Sequence, residues 1–155
     1  MKRKWKSLLI SLAIPLAAGG ASTLLGGGMD NYTNLNQPPL SPPGWVFPVV
    51  WSMLYLLMGY ASYRIYGSEA DRHEKRKALT FYGIQLLLNF LWPVVFFGLQ
   101  WYWAAFVVLL GLWVMIYLTM HLFGLIDDTA ENLLIPYLLW VTFAGYLNLG
   151  VALMN

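Results

Sequence analysis

Five apolar stretches, each close to the roughly 20 residues that cross a bilayer as a helix, constrain this chain more than any motif in it. They fall at residues 7–25, 45–65, 78–99, 101–124 and 132–154. The chain is 59% hydrophobic and 10% charged, where a soluble domain carries about 25% charged residues. Too little polar surface exists to cover a water-exposed globule, so the expectation is an all-α integral membrane protein, one domain over 1–155. The start, MKRKWKSLLISLAIPLAAGGAS, imitates a secretory signal. Its apolar run continues through Leu25, long enough to span, and reads as the first helix.

Charge placement orients the bundle. The nine basic residues are Lys2, Arg3, Lys4, Lys6, Arg64, Arg72, Lys75, Arg76 and Lys77. They cluster before the first span and around the connection between the second and third, on one side of a five-span bundle. The positive-inside rule makes that side cytoplasmic, with the N-terminus inside and the C-terminus outside. The apolar interiors of the spans hold no formal charge. That disfavours proton pumps, voltage sensors and ion-coupled transporters, which need intramembrane ionisable groups. With no cysteine, thiolate chemistry and disulfides are excluded. His73 and His121 both lie toward the basic side, so neither a catalytic triad nor a metal site is expected. The basic residues flank spans and do not form a nucleic-acid-binding pattern.

The connection 26–44 exceeds the about 12–15 residues typical of structureless loops. It leads into QPPLSPPGWVFPVVW at 37–51, which sets Pro38, Pro39, Pro42, Pro43 and Pro48 beside Trp45 and Trp51. Proline fixes φ and removes a donor, so 38–43 is expected to be extended and stiff, with Pro43 opening the second helix. This is a lid on the outer face. Below it, Trp51, Tyr55, Met58 and Ser62 share one face of the second helix, and Gln85, Asn89, Trp92 and Phe96 share one face of the third. Pro93 is expected to kink the third helix and free a carbonyl near Asn89. Gln85, Asn89 and Asn148 act either as interhelical hydrogen-bonding groups or, for Asn89 and Asn148, as polar contacts to a ligand. Counting about 1.5 Å per residue from the helix ends puts Trp51 and Trp92 at matching depth. By that count Trp140 is deeper, with Ala144 and Leu147 at the level of the other two. The small-residue run Ala17, Ala18, Gly19, Gly20, Ala21 in the first helix suits close packing within the chain, a ligand wall or a homodimer. The construction is an aromatic pocket under a lid, suited to a flat, largely apolar ligand.

Three blocks, PPLSPPGWVFPVVWSMLYLLMGYASY, QLLLNFLWPVVFFG and LLIPYLLWVTFAGYLN, resemble the signature blocks of the translocator protein or tryptophan-rich sensory protein (TspO/MBR) family. The resemblance runs from about Tyr32 to Asn148. It implies a five-helix bundle in a bacterial plasma membrane, with a pocket that opens toward the first loop. It also implies porphyrins (protoporphyrin IX-like tetrapyrroles) and synthetic isoquinoline or benzodiazepine compounds as ligands, a homodimer, and no cofactor. The family's ligand positions fall on Tyr32, Pro43, Phe47, Trp51, Asn89, Phe90, Trp92, Trp140, Ala144 and Leu147. Light- and oxygen-dependent porphyrin degradation, attributed to bacterial members, would use Trp51 and Trp140 as catalytic residues. The sterol motif of animal members has no counterpart: Leu149 stands at its tyrosine and no basic residue follows Tyr146. The primary expectation is a membrane receptor or transport-type binder. Enzyme-like degradation and a purely structural membrane protein are the alternatives.

Overall fold

An apolar segment in a bilayer must satisfy its own backbone groups, which favours helix throughout. The computed structural model describes residues 2–26, 38–42 and 45–155, and the regular structure among them is all helical. Helix α1 spans Lys2–Gly26, α2 Val46–Tyr66, α3 Arg72–Pro93, α4 Tyr102–Gly124, α5 Asp128–Leu133 and α6 Ile135–Met154. A π-helical turn, Val94–Gly98, extends α3, and α5 leads into α6 with a break only at Leu134. Four units, Val46–Tyr66, Arg72–Gly98, Tyr102–Gly124 and Asp128–Met154, are long and apolar enough to cross a membrane. The apolar part of α1 covers Trp5–Ala21. Five helical units and a multi-pass membrane protein therefore follow from the chain as expected.

Several boundaries differ from the sequence reading. α3 begins at Arg72, so half of the charged 67–77 segment is helical. Glu74 in its first turn suits the helix dipole, and Lys75 N–H bonds the Asp71 carbonyl at 3.0 Å. The last helical unit begins at Asp128, where Asp127 caps α5 by accepting from Thr129 N–H at 2.9 Å. Pro136, in the first turn of α6, accounts for the break at Leu134, because it cannot donate to the preceding turn. Pro93 acts in the same way. The expected kink takes the form of the π turn, closed by Leu99 N–H to Val94 O at 2.9 Å.

α1 lies on α2 and α3, and α4 lies between α3 and α6. Close approach of α1 to α2 depends on Gly59, where a methyl group would come within 2.6 Å of the Ser11 carbonyl oxygen. Gly19 is buried against the Tyr55 ring, which a side chain there would overlap, while Gly20 faces open space. Part of the small-residue run is thus spent on packing inside the chain. The backbone of α6 lies close to α4 and α5 and makes at most sparse close approaches to α2 and α3 among the described residues. The intervening space is filled by large side chains, and that space is the candidate site.

Candidate functional site

Trp51 stands at the centre of the gap between α2, α3 and α6. Its ring stacks on Tyr55 at 5.7 Å between centroids and meets Tyr137 edge-on at 6.2 Å, Trp92 at 6.4 Å and Trp140 edge-on at 6.5 Å. Phe47 packs on the other side of Trp140 at 5.8 Å. The 3.6-residue period explains the set: Phe47, Trp51 and Tyr55 recur every four residues along α2, and Tyr137, Trp140, Ala144 and Leu147 recur at steps of three, four and three along α6. Such offset and edge-on pairs contribute about 0.5–1.5 kcal/mol each beyond their burial.

Directly beneath, a hydrogen-bonded chain joins three helices. Tyr55 OH donates to Asn89 Oδ1 at 2.9 Å, Asn89 Nδ2 donates to Tyr137 OH at 2.6 Å, and Tyr137 OH donates to Gln85 Oε1 at 2.7 Å. Trp92 Nε1 donates to Asn148 Oδ1 at 2.9 Å, and Asn148 Nδ2 to the Tyr102 carbonyl at 2.9 Å. All of these polar side chains except that of Tyr102 are buried. The amides therefore bond between helices, and the ligand-facing alternative for Asn89 is left with one N–H. Trp140 differs, since its Nε1–H is buried with no hydrogen-bond partner among the described residues. A buried donor without an acceptor is costly, about 1–3 kcal/mol.

Of the ten residues expected at the site, Phe47, Trp51, Asn89, Trp92 and Trp140 are brought together by these contacts. Ala144 and Leu147 are buried on the same face of α6, and Phe90 is half-buried on α3. Tyr32 and Pro43 lie outside the described residues. Trp140 reaches Trp51, contrary to the depth count, because the lid docks below the end of α6. Tyr146 OH donates to the Pro39 carbonyl at 2.7 Å, and Pro38 packs on Gly150 so closely that a methyl there would come within 2.5 Å of its ring. Measured from Tyr146, Trp140 is about 9 Å down the helix, the same depth as Trp51 below Trp45.

The lid also departs from the extended form expected for 38–43. Pro39 and Leu40 form a turn, with Leu40 at φ 71° and Ser41 OH donating to the Pro38 carbonyl at 2.7 Å. Proline second and a positive φ third is the pattern of a type II turn, which normally takes glycine there. Tyr137 is the site residue that sequence reasoning passed over. A tyrosine inside an apolar span must find a partner for its hydroxyl, and it lies one turn before Trp140 on the same face.

The TspO/MBR family matches residues 11–154 of the chain. The tryptophan-rich protein TspO of Chlorobaculum tepidum is 36% identical over 149 residues, 96% of this chain and 94% of that protein. The tryptophan-rich sensory protein of Cereibacter sphaeroides is 39% identical over 143 residues, covering 90% and 88%. The translocator protein of Bos taurus is 39% identical over 131 residues, covering 83% and 77%.

Proposed function

The chain belongs to the TspO/MBR family, and from that premise we propose that it binds a flat, hydrophobic tetrapyrrole of the protoporphyrin IX type between α2, α3 and α6, as a receptor or transport-type protein. The observation that carries this reading is the gap itself. Two helices whose backbones make at most sparse close approaches to α6 are joined to it by Phe47, Trp51, Trp92, Tyr137 and Trp140. Trp and Tyr rings offer broad faces to a planar ligand, and the unpartnered Trp140 Nε1–H offers a donor for a carbonyl or carboxylate on it. The interhelical hydrogen bonds of Asn89 and Asn148 hold the walls in register and need not contact ligand. Synthetic isoquinoline or benzodiazepine compounds would use the same faces. The basic end would be cytoplasmic and the lid outside, by the charge rule. Purification with native lipid, followed by absorbance and mass identification of any co-purifying pigment, tests the proposal. A tetrapyrrole at near one equivalent supports it, and failure of added protoporphyrin to bind the pigment-free protein overturns it.

The contact of Trp51 with both Tyr55 and Trp140 supports a second reading, photo-oxidative porphyrin degradation. An excited porphyrin would take an electron from an adjacent indole, with dioxygen as the co-oxidant. Product beyond one equivalent per protein under light and oxygen separates this enzyme from a binder that is merely altered.

A further inference from the structure

Toward the basic end, two cavities adjoin. One, of about 750 Å³, is lined by Lys6, Ser7, Tyr63, Arg64, Ser68 and Asp127 among others. The second, of about 410 Å³, lies between α1 and α3 over α2, lined chiefly by Ile10, Ile14, Leu79, Leu86, Gly83 and Tyr82. Ser7, Ile10 and Tyr66 line both, so a polar, cationic mouth continues into an apolar slot. The slot extends from Ser7 to Ile14 along α1, about 10 Å deep at 1.5 Å per residue. Its side is open: Ile10 and Ile14 are half-exposed, and a side chain on Gly83 would meet nothing within 4 Å.

Two polar groups lack partners here among the described residues. The Tyr82 hydroxyl is buried in the slot wall without a well-formed hydrogen bond, although the residue is 7% exposed. The Ser62 hydroxyl lies beside it as a weak acceptor and donates its own proton to the Gly59 carbonyl at 2.9 Å. At the mouth, Lys6 forms no ion pair among the described residues, whereas Arg64 is held by Asp127 at 2.7 Å. We propose that this composite cavity binds an anionic glycerophospholipid from the leaflet at the basic end of the bundle. Its phosphate would sit at Lys6 with the Ser7 hydroxyl. One acyl chain would fill the slot between α1 and α3, and the ester carbonyl region would reach the Tyr82 hydroxyl. Charge complementarity selects this occupant: an apolar slot open to lipid ends at an unpaired ammonium, next to a terminus that also carries Lys2, Arg3 and Lys4.

The test uses the full chain in phosphatidylcholine nanodiscs doped with phosphatidylglycerol bearing a diazirine on one acyl chain, with crosslinks mapped by peptide mass. Labelling should concentrate on the α1 peptide around Ile10 and Ile14 and the α3 peptide around Gly83. It should exceed that from the matched phosphatidylcholine probe at least about fivefold. Gly83→Leu should fill the slot and abolish the preference at unchanged thermal stability, since the position has room and leucine favours helix over glycine. Lys6→Gln, at an exposed residue, should reduce the phosphatidylglycerol preference while leaving phosphatidylcholine labelling unchanged. Equal labelling by the two probes, labelling insensitive to both substitutions, or selective capture of a diazirine fatty acid in place of the phospholipid would each overturn the assignment.

Discussion

Tyr137→Phe probes the polar clamp that holds α6 to α2 and α3. The hydroxyl is 1% exposed on its residue, accepts from Asn89 at 2.6 Å and donates to Gln85 at 2.7 Å. Removing it breaks both bonds and strands Gln85, whose Nε2 already lacks a partner among the described residues. Interhelical hydrogen bonds in membranes average about 0.6 kcal/mol and reach about 1.7. Two of them place the expected loss at about 1–3 kcal/mol, toward the upper end because the stranded amide is buried. Tyr55→Phe breaks one bond, to Asn89, and should cost about half as much. Tyr82→Phe removes a hydroxyl with no well-formed hydrogen bond among the described residues and should cost less than either. Equilibrium unfolding of the three variants in mixed micelles, followed by tryptophan fluorescence, gives the ranking. If Tyr137→Phe proved no more destabilising than Tyr82→Phe, the clamp would not be an energetic feature of the fold.

Gly59→Val should force α1 from α2 against the Ser11 carbonyl and cost about 1–3 kcal/mol, whereas Gly20→Ala should be neutral; thermal unfolding compares them. Burial alone would raise the Asp127 carboxyl, but hydrogen bonds from Arg64 and from the Thr129 and Ala130 amides outweigh it and hold it below its ordinary value. Its stabilising contribution is therefore complete above the unfolded value near 3.8 and is lost as pH falls through the lower folded value. With both side chains partly exposed, the ion pair should contribute only about 0.2–1 kcal/mol, measurable as the acid-limb difference between the native chain and Asp127→Asn. Tyr146→Phe should release the Pro39 carbonyl and speed ligand dissociation severalfold in stopped-flow, with little change in unfolding midpoint.

Much of this architecture can be read from residue order because two periodicities dominate it. Apolar length sets the number of helices, and the 3.6-residue repeat places Trp51, Trp92 and Trp140 on inward faces. The reading fails where a tertiary contact decides. Nothing local in PPLSPP indicates that Ser41 will close a turn on Pro38 with Leu40 at positive φ. That geometry is tied to the docking of Pro38 and Pro39 on Gly150 and Tyr146. The same docking sets the vertical offset of α6, so counting from helix ends misplaces Trp140. Asn89 illustrates a different limit. Spacing identifies a polar group on the pocket stripe, but only the positions of Tyr55 and Tyr137 reveal that its bonds run between helices. The charges of 67–77 mark a boundary but do not interrupt helix formation, because the segment contains no proline and Glu74 falls in the first turn of α3.

The account rests on the aromatic gap as a ligand site, and absorbance titration with protoporphyrin IX in nanodiscs tests it most directly. Trp51→Phe with Trp140→Phe removes two indoles whose contacts are worth about 0.5–1.5 kcal/mol each and removes the unpartnered donor. Affinity should fall about tenfold or more, while Trp101→Phe with Trp103→Phe, at exposed positions 61% and 54% accessible, should leave it unchanged. Equal affinity in the two double variants would contradict the account.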